Sequence, residues 1–252
     1  MKLKCLSCEA LTRLVYLCAA RSPHIVDVEL FRIGLHNEPP NLRAQLQARI
    51  DAVNGQPYDA IVLAYGLCGQ ATAGLKARDI PLVIPRAHDC ITLFLGDRVR
   101  YLEQFENNPG TYWYAMDYIQ RREGKGTALS LGAGVDSDNI QGVYDEYVEK
   151  YGQDNADYLM EVMGAWQNHY NRAAYIDMGV GDGSVIELQT KEEADRRGWT
   201  YDRVAGDLVL VRRLLNGDWE NDFLVVEPGQ QITMAYGDEV VRSEAYDKEG
   251  LK

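Results

Sequence analysis

The stretch that decides the fold is DAIVLAY at residues 59–65, which Gly66-Leu67-Cys68-Gly69 follows directly. Its central residues are apolar without a break, which is typical of a strand buried on both faces of a parallel sheet. Gly66 and Gly69 allow a tight turn and a close backbone approach on either side of Cys68. The stretch therefore predicts an inner strand that ends in a cysteine-bearing turn.

Strand and helix signals alternate on both sides of this strand. Before it, the sequence predicts strands over 3–6 and 26–33 and helices over 9–20 and 39–53. After it, the sequence predicts a short helix over 69–78, a strand over 81–85 and helical structure within 89–107. This alternation indicates the α/β class, for which we expect a parallel sheet with strand order 2-1-3-4.

The rest of the chain divides into a Tyr-rich segment and a second alternating segment. Residues 111–172 carry apolar faces at helical spacing, formed by Ile140, Val143, Tyr144, Tyr147 and Tyr151 and by Leu159, Val162, Met163, Trp166 and Tyr170. Later residues predict strands near 175–178, 199–204 and 223–226, a helix opened by a capping box at Thr190-Lys191-Glu192-Glu193, and a helix over 207–216. We expect Rossmann-like α/β halves at 1–110 and 173–252, separated by a helical insert at 111–172.

Composition limits the classes of function. The 252 residues are 46% apolar and 25% charged, as in a globular protein. A formal net charge of -12 argues against a nucleic-acid partner and against an anionic membrane, because both attract basic surfaces. Glu9 and Arg13 interrupt the apolar N-terminal stretch, and no run approaches transmembrane length, so we expect a cytoplasmic protein. The five cysteines fit no secreted disulfide framework, which indicates reduced thiols.

Three of the cysteines, Cys8, Cys68 and Cys90, directly follow predicted strands. With strand order 2-1-3-4, these strands are neighbours about 5 Å apart, and ligands of such sheets bind at the carboxyl ends of the strands. Cytosolic proteins seldom gather thiols except to hold a metal or a cluster or to do redox chemistry. Each of the three also precedes a predicted helix, which favours the thiolate form that binds metals. The sequence therefore predicts that these thiols hold a zinc ion or an iron-sulfur cluster.

The remaining cysteines, Cys5 and Cys18, lie in different surroundings. Cys18 falls on the apolar face of a predicted helix, where a cysteine acts as a small apolar filler. Cys5 forms a C-x-x-C pattern with Cys8, but within a strand the two side chains point to opposite faces. We expect a packing role for Cys18, and for Cys5 both packing and ligation remain open.

Polar residues near these cysteines add further chemistry. His88 could be a fourth ligand or a catalytic base, and Asp89 could orient a ligand or cap a helix. Glu9 could act as an acid, a base or an oxygen ligand, although the helix dipole also favours a carboxylate there. Gly66, Gly69 and Arg86 are the candidate cofactor-binding residues. Arg86 could form an anion clamp with Arg98 and Arg100, although arginines more often lie on a solvated helix face.

Several motifs of the chain resemble the domain of unknown function 1638 family. They are Cys8-Glu9, Tyr65-Gly66-Leu67-Cys68-Gly69, the run from Ile84 to Ile91, Phe94-Leu95-Gly96, Pro109-Gly110-Thr111-Tyr112, and runs within 206–219 and 223–229. The resemblance spans most of the chain and implies that Cys8, Cys68 and Cys90 are the functional cysteines. It also implies a link to the corrinoid-dependent methyltransferase systems of anaerobic bacteria and archaea, and so to anaerobic one-carbon metabolism.

Two classes of function follow from these observations. The first is a metal-thiolate protein with one coordination position open for His88 or a small-molecule substrate, which suits methyl or sulfur transfer. The second is a non-catalytic binding or maturation factor that docks on a corrinoid protein or a methyltransferase, steered by its acidic surface. A cysteine-based thiol enzyme without a metal is a third hypothesis.

Overall fold

The computed structural model describes residues 1–121 and 170–246, together with residues 148, 152 and 153. The chain forms two compact units. The first comprises Met1–Leu102, Met178–Gly181 and Ala205–Lys252, and the second comprises Glu103–Asp177 and Asp182–Val204. The fold is mixed α/β with a mainly parallel central sheet, which confirms the predicted Rossmann-like class.

The described elements alternate along most of the chain. The strands are β1 (Lys2–Cys8), β2 (Ile25–Phe31), β3 (Ala60–Ala64), β4 (Leu82–Pro85), β5 (Thr111–Ala115), β6 (Arg172–Asp177), β7 (Thr200–Ala205), β8 (Phe223–Val226), β9 (Gln230–Met234) and β10 (Val241–Ala245). The helices are α1 (Thr12–Arg21), α2 (Pro39–Val53), α3 (Cys90–Leu95), α4 (Arg98–Asn107), α5 (Met116–Arg121), α6 (Ser184–Arg197) and α7 (Val209–Asn216). None of the helices in the described parts of the chain is both long enough and apolar enough to cross a lipid bilayer.

The central sheet of the first unit has the strand order β2-β1-β3-β4-β8. Strands β1 to β4 pair in parallel, which confirms the predicted order 2-1-3-4. All five residues of β3 are buried, as its unbroken apolar sequence requires for an inner strand. Strand β8 extends the sheet antiparallel to β4, with Phe223 opposite Pro85 and Val226 opposite Leu82.

Helix α2 covers one face of this sheet and has the predicted bounds. Prolines occupy its first turn, where the missing N–H costs no hydrogen bond. Leu42, Leu46 and Ile50 recur every four residues and are at most 1% exposed. Burying each such side chain contributes about 1.5–3 kcal/mol, so this apolar stripe anchors the helix against the sheet.

The second unit contains the sheet β5-β6-β7, in which β5 and β6 pair in parallel. Its core includes Tyr114, Tyr175 and Ile186, the last of which comes from α6. Strand β5 and helix α5 lie at the start of the segment predicted to be a helical insert. The helical faces predicted over 140–170 lie outside the described residues, except for Tyr170.

One predicted helix and one predicted helix start were wrong. Residues 69–78 form turns, because Cys68, Gly69 and Gln70 adopt φ values of 47°, 62° and 69°, which cannot continue a right-handed helix. The proposed capping box at Thr190 lies inside α6, which begins at Ser184. The Thr190 hydroxyl donates to the carbonyl of Ile186 one turn earlier, so it does not cap a helix.

Candidate functional site

Strand β1 positions Cys8 at the carboxyl end of the sheet. Cys8 is the last residue of β1, and the residue before it, Ser7, pairs with Ala64 at the end of β3. The Cys8 sulfur accepts a hydrogen bond from the amide of Ala10 at 3.5 Å, which caps the 3-10 turn at Glu9–Leu11. The thiol is therefore held at the point where the chain leaves the sheet.

The turn after β3 is attached to the turn after β4 by the backbone. Leu67 donates to the carbonyl of Ala87 at 2.8 Å, and Cys68 donates to the carbonyl of His88 at 2.9 Å. A Cβ at Gly66 would lie 2.6 Å from the amide nitrogen of Asp89 and 2.8 Å from the Ala87 oxygen. Only glycine allows this approach of the two turns. The predicted role of Gly66 in admitting a metal or substrate stays a prediction.

Asp89 holds the start of α3, where Cys90 is the first residue. Its Oδ1 accepts hydrogen bonds from Ile91 at 2.8 Å and Thr92 at 3.3 Å, and its Oδ2 accepts one from the Tyr101 hydroxyl at 2.9 Å. Of the two predicted roles, the structure shows the helix cap. Cys90 is thereby fixed beside the turn that carries Cys68.

The three thiols lie within electrostatic reach of one another. Burial raises the pKa of the Cys8 thiol to about 11, and burial also raises the pKa of Cys68 and of Cys90. The expectation that a following helix favours the thiolate form was therefore wrong for the metal-free protein, because burial outweighs the effect of a helix start. Ionisation of Cys8 would raise the pKa of Cys68 further, and ionisation of either would raise that of Cys90. The Asp89 carboxylate acts in the same direction on Cys68 and Cys90, and Glu9 does so on Cys8. Two carboxyl groups, those of Glu9 and Asp89, therefore act on the cluster.

The donor set fits a metal in its chemistry. Thiols are the ligands that zinc and iron-sulfur clusters prefer. In the part of the chain that the structure describes, no group of three or more His, Cys, Asp or Glu side chains has the geometry of a metal site. The structure gathers the thiols without spacing them as a formed coordination shell, so ligation by Cys8, Cys68 and Cys90 stays a prediction.

The other predicted site residues lie around this cluster or beside it. His88 is exposed, and its ring stacks on Tyr101 with centroids 6.0 Å apart. Arg86 donates from Nη1 to the carbonyls of Glu239 at 3.0 Å and Val241 at 2.5 Å, so it contacts the hairpin of β9 and β10. Gly69 is exposed with a φ of 62°, and a Cβ added there would have Pro39 Cγ as its nearest neighbour, at 3.9 Å. Gly69 therefore serves the turn geometry and not close packing.

Cys5 and Cys18 lie apart from the cluster of Cys8, Cys68 and Cys90. Cys5 is fully buried, and it precedes Leu6, whose side chain faces the core cluster against which Cys8 packs. Alternation along β1 therefore points Cys5 to the opposite face of the sheet. Cys18 is buried on α1, and burial raises its pKa against the opposing effect of Arg212.

Sequence reasoning assigned no role to Tyr65, whose hydroxyl is buried and has no hydrogen-bond partner among the residues that the structure describes. Burial raises the pKa of Tyr65, and ionisation of Cys8 or Cys68 would raise it further. The register of β1 and β3 could have indicated this position, because Tyr65 follows the Ala64 that pairs with Ser7. The lack of a partner for the hydroxyl is a property of the packed structure.

Comparison with known protein families identifies one match. The model of the family described as "Protein of unknown function (DUF1638)" matches residues 30–215, well over half of the chain. The matched range includes Cys68 and Cys90 and begins after Cys8. None of the curated proteins and none of the solved structures compared with the chain matches it. By its match to the family model, the chain belongs to the DUF1638 family of proteins of unknown function.

Proposed function

We propose that this chain is a metal-thiolate protein in which Cys8, Cys68 and Cys90 hold a zinc ion or an iron-sulfur cluster. The observation that supports the proposal is the pairing of β1, β3 and β4 as neighbours in one parallel sheet. One cysteine lies at or just after the carboxyl end of each of these strands, where ligands of such sheets bind. Hydrogen bonds join the turn after β3, which carries Cys68, to the turn after β4, which leads into Cys90.

The electrostatics of the cluster favour a cation. The side chains that act on these three thiols are Glu9, Asp89 and the thiols themselves, all of which are anionic when ionised. A bound metal cation would reverse the pKa shifts, because it stabilises the thiolate directly. Without a cation, buried thiols with raised pKa values are weak nucleophiles at neutral pH, which argues against a metal-free thiol enzyme.

Three protein thiolates leave one coordination position for another group. His88 lies in the turn that carries Cys90, and Glu9 follows Cys8 directly, so these are the nearest candidates for a fourth ligand, an acid or a base. When bound, zinc or a cluster iron with a free coordination position would activate a substrate thiol or a methyl acceptor. We therefore assign the protein to methyl or sulfur transfer on a small-molecule substrate.

The cellular setting is also a proposal, and it rests on the family resemblance. We place the protein in the cytoplasm, in anaerobic one-carbon metabolism, with a corrinoid protein or a methyltransferase as its partner. A formal net charge of -12 would steer the encounter with a basic partner surface. The same charge would serve a non-catalytic maturation factor equally well, so the metal content decides between the two functions.

Metal analysis of anaerobically purified protein tests the proposal. Zinc, iron and acid-labile sulfide would be measured together with the optical spectrum for the wild type and for Cys68→Ser. We expect the variant to lose the metal or cluster and to remain folded, because the α/β core is built from apolar side chains. Cys18→Ser, which changes a buried cysteine outside the cluster, is the matched control and should keep the metal. A metal-free wild type would contradict a functional thiolate site. A Cys68→Ser variant that keeps its full metal content, or that fails to fold, would contradict it as well.

A further inference from the structure

The hydroxyl of Tyr65 is a buried donor with no acceptor. Tyr65 is 2% exposed, and within residues 1–121 and 170–246 its oxygen has no hydrogen-bond partner. Buried hydroxyls are almost always paired, and an unpaired one is a destabilising feature that calls for an explanation. A phenylalanine would fill the same volume without this cost, so packing alone does not account for a tyrosine at this position.

The sheet places this hydroxyl on the same face as two of the thiols. Strands β1 and β3 pair in register up to Ser7 and Ala64, so one further residue brings Cys8 beside Tyr65. Tyr65 belongs to the core cluster against which both Cys8 and Cys68 pack. Burial raises the pKa of the Tyr65 hydroxyl, and ionisation of either thiol would raise it further.

A neutral thiol and a thiolate differ greatly as hydrogen-bond acceptors. The sulfur of an S–H group accepts weakly, whereas an ionised acceptor forms a shorter and roughly twofold stronger bond. Metal binding replaces the thiol proton with the metal and leaves a charged sulfur, with the proton released to solvent. The unpaired Tyr65 hydroxyl would then gain the acceptor that it lacks in the metal-free protein.

We propose that Tyr65 is a positioning residue whose hydroxyl donates a hydrogen bond to the metal-bound sulfur of Cys8 or Cys68. This role rests on the proposed metal-thiolate function. The bond orients the sulfur and stabilises its charge, as hydrogen bonds to metal ligands do in other sites. This hydrogen bond forms only when the metal is bound, so it stabilises the metal-bound protein relative to the metal-free protein.

Cobalt binding to the metal-free protein tests this role with Tyr65→Phe. We expect the affinity for Co²⁺ to fall about 10–100-fold, the range for losing such a hydrogen bond. The sulfur-to-cobalt charge-transfer band should move to longer wavelength, because the sulfur loses the hydrogen bond that stabilises its electrons. The metal-free variant should unfold at the same or a higher temperature than the wild type, since it loses only an unpaired hydroxyl.

Tyr101→Phe is the matched control, because its hydroxyl is already paired with Asp89 Oδ2. That variant should lower the unfolding temperature of the metal-free protein and leave the charge-transfer band in place. If the purified protein carries an iron-sulfur cluster, the reduction potential replaces the cobalt band as the readout. The potential should then be lower in Tyr65→Phe, because hydrogen bonds to cluster sulfurs help to set it.

The outcomes separate the two proposals. A wild type that binds neither cobalt nor a cluster overturns the metal-thiolate function and the role of Tyr65 with it. A wild type that binds metal, with a Tyr65→Phe variant of equal affinity and equal spectrum or potential, overturns the role of Tyr65 alone. A metal-free Tyr65→Phe protein less stable than the wild type also overturns it, because the hydroxyl would then be paired without metal.

Discussion

The amide of Cys68 donates to the carbonyl of His88 at 2.9 Å, so the turn after β3 is fixed to the turn after β4. This bond joins two positions that are 20 residues apart in the chain. It holds Cys68 in a left-handed conformation with a φ of 47°, which is uncommon for a residue other than glycine. Such conformations persist only where the surrounding structure enforces them, and they concentrate at functional sites.

Gly66→Ala should destabilise the protein. The added Cβ would meet backbone atoms of Asp89 and Ala87 at 2.6–2.8 Å, and backbone cannot move aside as a flexible side chain can. We expect a loss of about 1–3 kcal/mol in the free energy of unfolding, measured by denaturant titration. Gly34→Ala is the control, because nothing lies within 4 Å of its Cβ position. Equal stability of the two variants would mean that the two turns are not in contact.

Arg86→Ala should loosen the hairpin of β9 and β10. The guanidinium donates to the carbonyls of Glu239 and Val241, and hydrogen bonds from a charged donor contribute about 1.5–3 kcal/mol. We expect faster amide hydrogen exchange in β10 and unchanged metal content. Arg49→Ala removes a half-exposed arginine paired with Glu29 and should leave the hairpin protected. Lost ligand binding with a protected hairpin would instead support the predicted cofactor-binding role of Arg86.

Metal affinity should rise steeply with pH. Burial raises the pKa of Cys8 to about 11 and raises that of Cys68 and Cys90, so all three thiols are protonated at pH 7. Each must release its proton to bind a metal, so the apparent affinity should increase about tenfold per pH unit for each thiol. Isothermal titration calorimetry in two buffers would count the released protons. Release of fewer than three by the wild type would remove one cysteine from the ligand set.

The metal-free protein should lose stability in alkaline solution. Cys8 has a pKa of about 11 in the folded protein against an ordinary value of 9.0, so the folded state holds its proton more tightly. The stabilisation is complete below pH 9 and is lost as the pH rises towards 11, by up to roughly 3 kcal/mol. Thermal unfolding at pH 8 and pH 10.5 should show a smaller decrease for Cys8→Ala than for the wild type. A decrease of equal size would show that Cys8 ionises freely in the folded state.

The sequence predicted correctly those helices and strands whose bounds depend on residues close together in the chain. Helix α2 at Pro39–Val53 and strand β8 at Phe223–Val226 have the predicted bounds, because the first-turn prolines, the apolar spacing and the flanking turn residues define them. The segment at 69–78 was predicted to be helical because its composition allows a helix. Cys68 is left-handed where its amide bonds to the turn after β4, and a sequence pattern does not reveal such a contact.

The candidate site was predictable where its features depend on strand order or on neighbouring residues, and not where they depend on contacts between distant residues. The alternation of strands and helices was enough to predict that the turns of Cys8, Cys68 and Cys90 lie at one edge of the sheet. The position of Asp89 before a predicted helix was enough to suggest that it caps that helix. The partners of Arg86 lie more than 150 residues further along the chain, so no local pattern could reveal them. The unpaired hydroxyl of Tyr65 is likewise visible only when burial and hydrogen bonding are both known.

Strand β8 has a consequence for how the protein is made. It pairs with β4, yet it leaves the ribosome only after all of the second unit has been synthesised. Until then, β4 presents an open edge, and open strand edges of partly made chains are prone to pair with other chains. We therefore expect the nascent sheet to need protection by a chaperone until β8 has been made.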